Sequence, residues 1–118
     1  MKTLMSALVL TVLMIAPSHA QAIAGDWHGT LQVGAEQLRL VLHVTPDDKG
    51  GFAGTLDSPD QSAVGIRVTA VTLVDSVLKF ELPQIGGSYE GKLDAAGTSV
   101  EGTWSQSGNN LPLTWKRQ

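Results

Sequence analysis

From residue 25 to residue 117 apolar and polar side chains alternate in short runs, and clusters of Gly, Pro, Asp, Asn and Ser interrupt them about every 8 to 12 positions. The run 37–45 is the clearest. Leu38, Leu40, Leu42 and Val44 share one parity and Arg39 and His43 the other, the period of a strand with one buried face. Eight strands are predicted on this basis, at about 26–33, 37–45, 51–57, 66–74, 77–82, 88–94, 98–106 and 111–117. Trp27, Leu31, Phe52, Leu56, Tyr89, Leu93, Trp104, Leu113 and Trp115 fall on the inner face. No segment has a helical period.

A five-residue pattern strengthens the assignment: an aromatic or apolar residue, a spacer, glycine, a spacer and an apolar residue. It recurs at Trp27-His28-Gly29-Thr30-Leu31, Phe52-Ala53-Gly54-Thr55-Leu56, Tyr89-Glu90-Gly91-Lys92-Leu93 and Val100-Glu101-Gly102-Thr103-Trp104. Each glycine takes the inward parity, where a missing side chain permits a sharp bend or a close aromatic ring. Strongly curved sheets need such positions. Short connections favour neighbour-to-neighbour hairpins, so the chain is expected to form a small, all-β, eight-stranded up-and-down barrel, lipocalin-like in its closure, with a half-open barrel or sandwich as the alternative. Aromatic side chains would fill most of an interior of this size.

The first twenty residues follow a different rule. Lys2 precedes an apolar run over 4–16 that ends at Pro17, and Ser18-His19-Ala20 places small residues where a signal peptidase reads them. The run is shorter than the roughly 20 residues of a membrane span. A signal peptide over 1–20 and one mature β domain over 21–118 are therefore expected, with export to the periplasm or beyond. Without Lys2, seven Lys and Arg stand against eleven Asp and Glu, a net charge of −4 that argues against nucleic acid as a partner. The absence of cysteine removes disulfides, thiolate metal sites and a cysteine nucleophile.

Meander topology sorts the connections by end. Tight turns at 46–50, 75–76 and 95–97 share one end; longer loops at 34–36, 58–65, 83–87 and 107–110 share the other. The longer loops carry amides and hydroxyls, and loops on a rigid scaffold are where function collects. Ligand binding is accordingly expected at this end, through Asp57, Ser58, Asp60, Gln61, Gln106 and Asn109, to a protein or to a neutral polar small molecule such as a sugar. Catalytic and metal residues are not expected. His28 and His43 lie on the outward parity with no carboxylate clustered near them by spacing. Asp57 and Asp60 flank Ser58-Pro59 as in a turn whose carboxylates accept backbone N–H groups. The stretch Gly86-Gly87-Ser88-Tyr89-Glu90 departs from a nucleophile elbow in its last position and leads into no helix. No phosphate-cradling loop is present, and no cofactor is expected.

The residues Gly25-Asp26-Trp27-His28-Gly29-Thr30-Leu31, then Asp57-Ser58-Pro59-Asp60-Gln61, Tyr89-Glu90-Gly91, Gly102-Thr103-Trp104-Ser105-Gln106 and Leu111-Pro112-Leu113, together resemble a known domain. It is the amino-terminal β domain that precedes the α/β-hydrolase domain in many secreted bacterial esterase- or peptidase-like proteins, and the resemblance covers about 25–117. In that family a catalytic domain follows where this sequence stops at Gln118, so no triad residue is carried over. The resemblance implies a secreted, noncatalytic binding or accessory module. The alternatives are a small hydrolase acting through the long-loop end and a small-ligand carrier binding inside the barrel.

Overall fold

The computed structural model describes residues 23–117, and the segment read as a signal peptide lies outside the described residues. Eight antiparallel strands follow one another around a closed barrel in sequence order: β1 (Gly25–Val33), β2 (Glu36–Pro46), β3 (Phe52–Ser58), β4 (Ala63–Val74), β5 (Val77–Leu82), β6 (Gly87–Leu93), β7 (Ser99–Gln106) and β8 (Asn109–Arg117). Every predicted strand is present. The barrel closes where β1 meets β8, with Trp27 opposite Arg117 and His28 opposite Lys116. Closure removes the exposed edges that an open eight-stranded sheet would present to other chains. Among the described residues no helix is long and apolar enough to cross a membrane.

The alternation holds along β2, where Leu40, Leu42 and Val44 are buried and Arg39 is exposed. It slips once in β4. Val68 is buried on the even parity and Val71 and Leu73 on the odd, and the register with β5 shifts between Thr69 and Thr72. Ala70 takes a left-handed backbone there, φ 53°, so a bulge re-aims the second half of the strand into the core. Close approach explains one pair of inward glycines. Gly91 faces Gly102 across β6 and β7. A side chain on Gly102 would collide with the Glu90 carbonyl and the Gly91 Cα, and one on Gly91 with the ring of Tyr89, which folds back over it.

The interior is not uniform along the barrel axis. Towards the end with the 47–51, 75–76 and 94–98 connections it is packed with rings. Phe80 stacks on Tyr89 at 5.3 Å between centroids, and Tyr89 meets Trp115 edge-on at 6.1 Å. The Tyr89 hydroxyl donates to the Leu113 carbonyl at 2.9 Å, and burial pushes its phenol pKa up. Ile23, fully buried ahead of β1, accepts a 3.0 Å hydrogen bond on its carbonyl from Trp27 Nε1. Arg117 covers the Trp27 ring at 4.3 Å and donates to the Ala24 carbonyl at 2.6 Å and the Gly97 carbonyl at 3.2 Å. This end is sealed.

Candidate functional site at the open end

The opposite end carries the connections expected to be long, and two of them are short. Gly34-Ala35 and Ser107-Gly108 are two-residue hairpin turns, because β2 and β8 begin one and two residues earlier than predicted. Gly34 and Gly108 supply the left-handed backbone that such turns need. The other two connections each contain a single 3-10 turn, Pro59–Gln61 and Pro83–Ile85, which no helical period in the sequence announced.

These two turns are built alike. Each opens with proline, whose fixed φ suits the first position. Each ends on a left-handed residue, Ser62 at φ 57° and Gly86 at φ 65°, whose N–H bonds the proline carbonyl. In each, the second residue reaches past the strand that leads into the turn to the strand before it, β2 or β4, and accepts the backbone N–H of an arginine. Asp60 Oδ2 accepts from Arg39 N at 2.8 Å, and Gln84 Oε1 accepts from Arg67 N at 2.8 Å. The third residue, Gln61 or Ile85, is thereby turned over the barrel mouth.

Beneath them lies a cavity of about 470 Å³. Its walls are Leu31, Leu38, Leu40, Leu56, Ile66 and Leu111, with Trp104 among them and Val33, Ala63 and Ile85 near the mouth. Its polar lining is Ser58, Gln61, Gln106, Ser107 and Asn109. No lining residue is charged. Gln106 is a clasp: its Oε1 accepts from Trp104 Nε1 at 3.1 Å and its Nε2 donates to the Ile85 carbonyl at 3.1 Å, joining the wall to the second 3-10 turn. Ser58, 1% exposed, donates from Oγ to Gln61 Oε1 at 2.7 Å and holds that amide over the opening.

The structure thus brings together four of the six residues singled out from the sequence, Ser58, Gln61, Gln106 and Asn109, around one cavity. Asp57 and Asp60 belong to the outer wall. Asp60 is clamped by the Arg39 side chain, with Arg39 Nη2 at 2.7 Å from Oδ1, and that hydrogen bonding lowers its pKa to about 2. Asp57 accepts the Gly65 N–H on Oδ1 at 2.8 Å, so both aspartates do bond backbone amides as the turn reading required. The aliphatic walls were assigned to the interior by parity. What the sequence reading missed is that they line an unfilled end, since aromatic rings were expected to fill most of the barrel. Strand position carried only part of the signal: Trp27 and Trp115 lie in the half of their strands nearer the tight turns, whereas Tyr89 starts from the other half of β6 and its ring folds back over Gly91.

One expectation is corrected. His43 does have carboxylates beside it: its Nδ1 lies 2.7 Å from Asp26 Oδ1 and its Nε2 2.9 Å from Asp57 Oδ2. Asp26 faces His43 across β1 and β2, and Asp57 lies two residues beyond its β3 partner, Thr55. Cross-strand register assembles what sequence spacing conceals. The bonds to Asp26, then to Asp57, raise the His43 pKa, and the Gly65 N–H, then His43, lower that of Asp57. While protonated, an imidazole with both N–H groups bonded to carboxylates has no lone pair for a metal or a substrate proton. Among the described residues no three His, Asp or Glu side chains gather to hold a metal. Two larger hollows lie on the outer wall, about 620 Å³ around Lys79 and Glu90 and about 700 Å³ around His28 and Lys116, and both are lined by charged side chains, unlike the mouth cavity.

Compared with known proteins, the chain matches no protein-family model, no curated protein and no solved structure.

Proposed function

We propose that this chain is an exported, noncatalytic binding module, an accessory domain of the kind that precedes the α/β-hydrolase domain in secreted bacterial esterase- or peptidase-like proteins, and that it binds through the open end of the barrel. The observation that carries this reading is the mouth cavity itself, aliphatic below, amide and hydroxyl above, and uncharged throughout. Small-molecule and side-chain sites have this composition, a mostly apolar hollow with a few placed polar groups. The doubly bonded His43 supports a noncatalytic role, because a general base needs a nitrogen free to take a proton.

The test is a binding screen on the purified chain with neutral small molecules and short peptides, followed by amide chemical shifts. Gln61→Ala combined with Asn109→Ala should weaken whatever binds, and His28→Ala, on the wall, should not. Binding that ignores the rim variant but is lost with a wall variant would move the site elsewhere. Turnover of an ester or peptide by the purified chain would restore the hydrolase alternative.

A further inference from the structure

We infer that the open-end cavity takes an uncharged amphiphile: a short aliphatic chain carrying a hydrogen-bonding but unionised head, such as an alcohol, a primary amide or an ester. This ligand class rests on the open-end reading above and narrows it.

The floor and walls decide the body of the ligand. Leu31, Leu40 and Leu56 are 4%, 3% and 1% exposed and present only methyl and methylene groups. A sugar lying against them would lose hydrogen bonds from hydroxyls on every side, at a cost of about 1–3 kcal/mol for each group left unmatched. The indole of Trp104 offers no polar contact either, because its Nε1 is already taken by Gln106. An alkyl chain loses nothing there, and each methylene removed from water contributes roughly 0.8 kcal/mol. At about 470 Å³ the cavity is near the small end of ligand sites, which limits that chain to a short one.

The rim decides the head. Gln61 Nε2, the Ser107 hydroxyl and the Asn109 amide make no side-chain hydrogen bond within the described protein, and between them they offer both donors and acceptors. An alcohol or amide matches that mixture. A carboxylate would find no cation: Arg39, on the outer face of β2, is held by Asp60 through its Nε and Nη2 as well as its backbone N–H. The chain's net charge of −3 would oppose an anion further. An ammonium head would likewise find no carboxylate in the lining.

Four probes of equal chain length separate these cases: octanamide, 1-octanol, octanoate and octylamine, titrated calorimetrically and by Trp104-sensitive fluorescence. The two neutral probes should bind at least about tenfold more tightly than the two charged ones. Ala63→Phe, which fills the mouth, should abolish binding of the neutral pair. If that variant melts early, Asn109→Ala on the exposed rim replaces it and should weaken octanamide severalfold. Octanoate or octylamine binding as tightly as the neutral pair overturns the ligand class, as does octanamide binding that neither variant alters. If no octyl probe binds while a neutral peptide does so in a Gln61- and Asn109-dependent way, the ligand class fails and the open-end reading survives.

Discussion

The two ends of this barrel are made by the same eight strands, yet one is a plug and the other a cup. At the plug, a residue ahead of the sheet and the last residue of β8 close the interior: Ile23 fills it, and Arg117 lies over Trp27 and ties down the Ala24 and Gly97 carbonyls. At the cup, the corresponding work falls to two 3-10 turns that are pulled outward onto β2 and β4 by Asp60 and Gln84. A polar residue reaching away from the axis keeps the mouth open, whereas an apolar residue reaching towards it shuts the other end. The lesson is that occupancy of a small barrel is decided less by strand number than by where the connecting segments are tethered.

If the plug holds the fold and the cup holds the function, damage should divide accordingly. Trp27→Ala removes a fully buried ring, its bond to Ile23 and the surface under Arg117, and should cost about 3–5 kcal/mol. Chemical denaturation measures this, and a loss below about 1 kcal/mol would mean that the plug is not the stabilising end. Next in size is Gly102→Ala, where the added methyl meets the Glu90 and Gly91 backbone; an overpacking loss of about 1–3 kcal/mol is expected. Gly97→Ala makes a useful contrast. A methyl at Gly97 meets nothing within 4 Å and the strain is backbone only, φ 75°.

Much of the plug was legible in the sequence and much of the cup was not. Parity placed Trp27, Tyr89, Trp104 and Trp115 inside because a strand has only two faces, and the glycine pattern marked the tight approach at Gly91 and Gly102. The Ala70 bulge left a trace too, since Ile66 and Val68 are even-numbered and Val71 and Leu73 odd. No such rule foretells Asp60 folding back onto Arg39, a tether across 21 residues, or Gln84 onto Arg67 across 17. Nor does spacing within one segment bring Asp26, His43 and Asp57 together, because that contact depends on the register of three strands. The rim amides were visible as polar loop residues; whether they faced the axis or the wall was settled by those tethers.

The cup can be loosened without touching the plug. Gln106→Ala frees Trp104 Nε1 and the Ile85 carbonyl, and a loss of about 1 kcal/mol is expected from the two bonds. The sharper readout is local: Trp104 fluorescence should shift to the red, and exchange of the Gly86 amide should quicken. A variant with unchanged emission and exchange would show that the clasp does not order the mouth.

The smallest expected effect concerns a polar chain that runs along the wall between the two ends. Asp26, near the start of β1, bonds His43, which bonds Asp57, which bonds the Gly65 N–H beyond the first 3-10 turn. Because the folded-state pKa of His43 is raised, the stabilisation is complete below the ordinary histidine value of about 6.5 and is lost as pH rises through the raised one. The depressed pKa of Asp57 adds a limb of opposite sign, present above its ordinary value of 3.8 and lost as pH falls through the lowered one. The His43 side chain is 35% exposed and its partners 54% and 25%, so solvent screening holds each pair to at most about 1 kcal/mol. The melting temperature should therefore fall modestly between pH 6 and pH 9, and His43→Gln should flatten that fall. His28→Ala should cost under about 0.5 kcal/mol, as befits an exposed wall position. If Trp104 emission at the cup follows the same titration, protonation beside β1 is felt at the mouth and the ends are coupled; emission that stays flat while the melting temperature moves would make them independent.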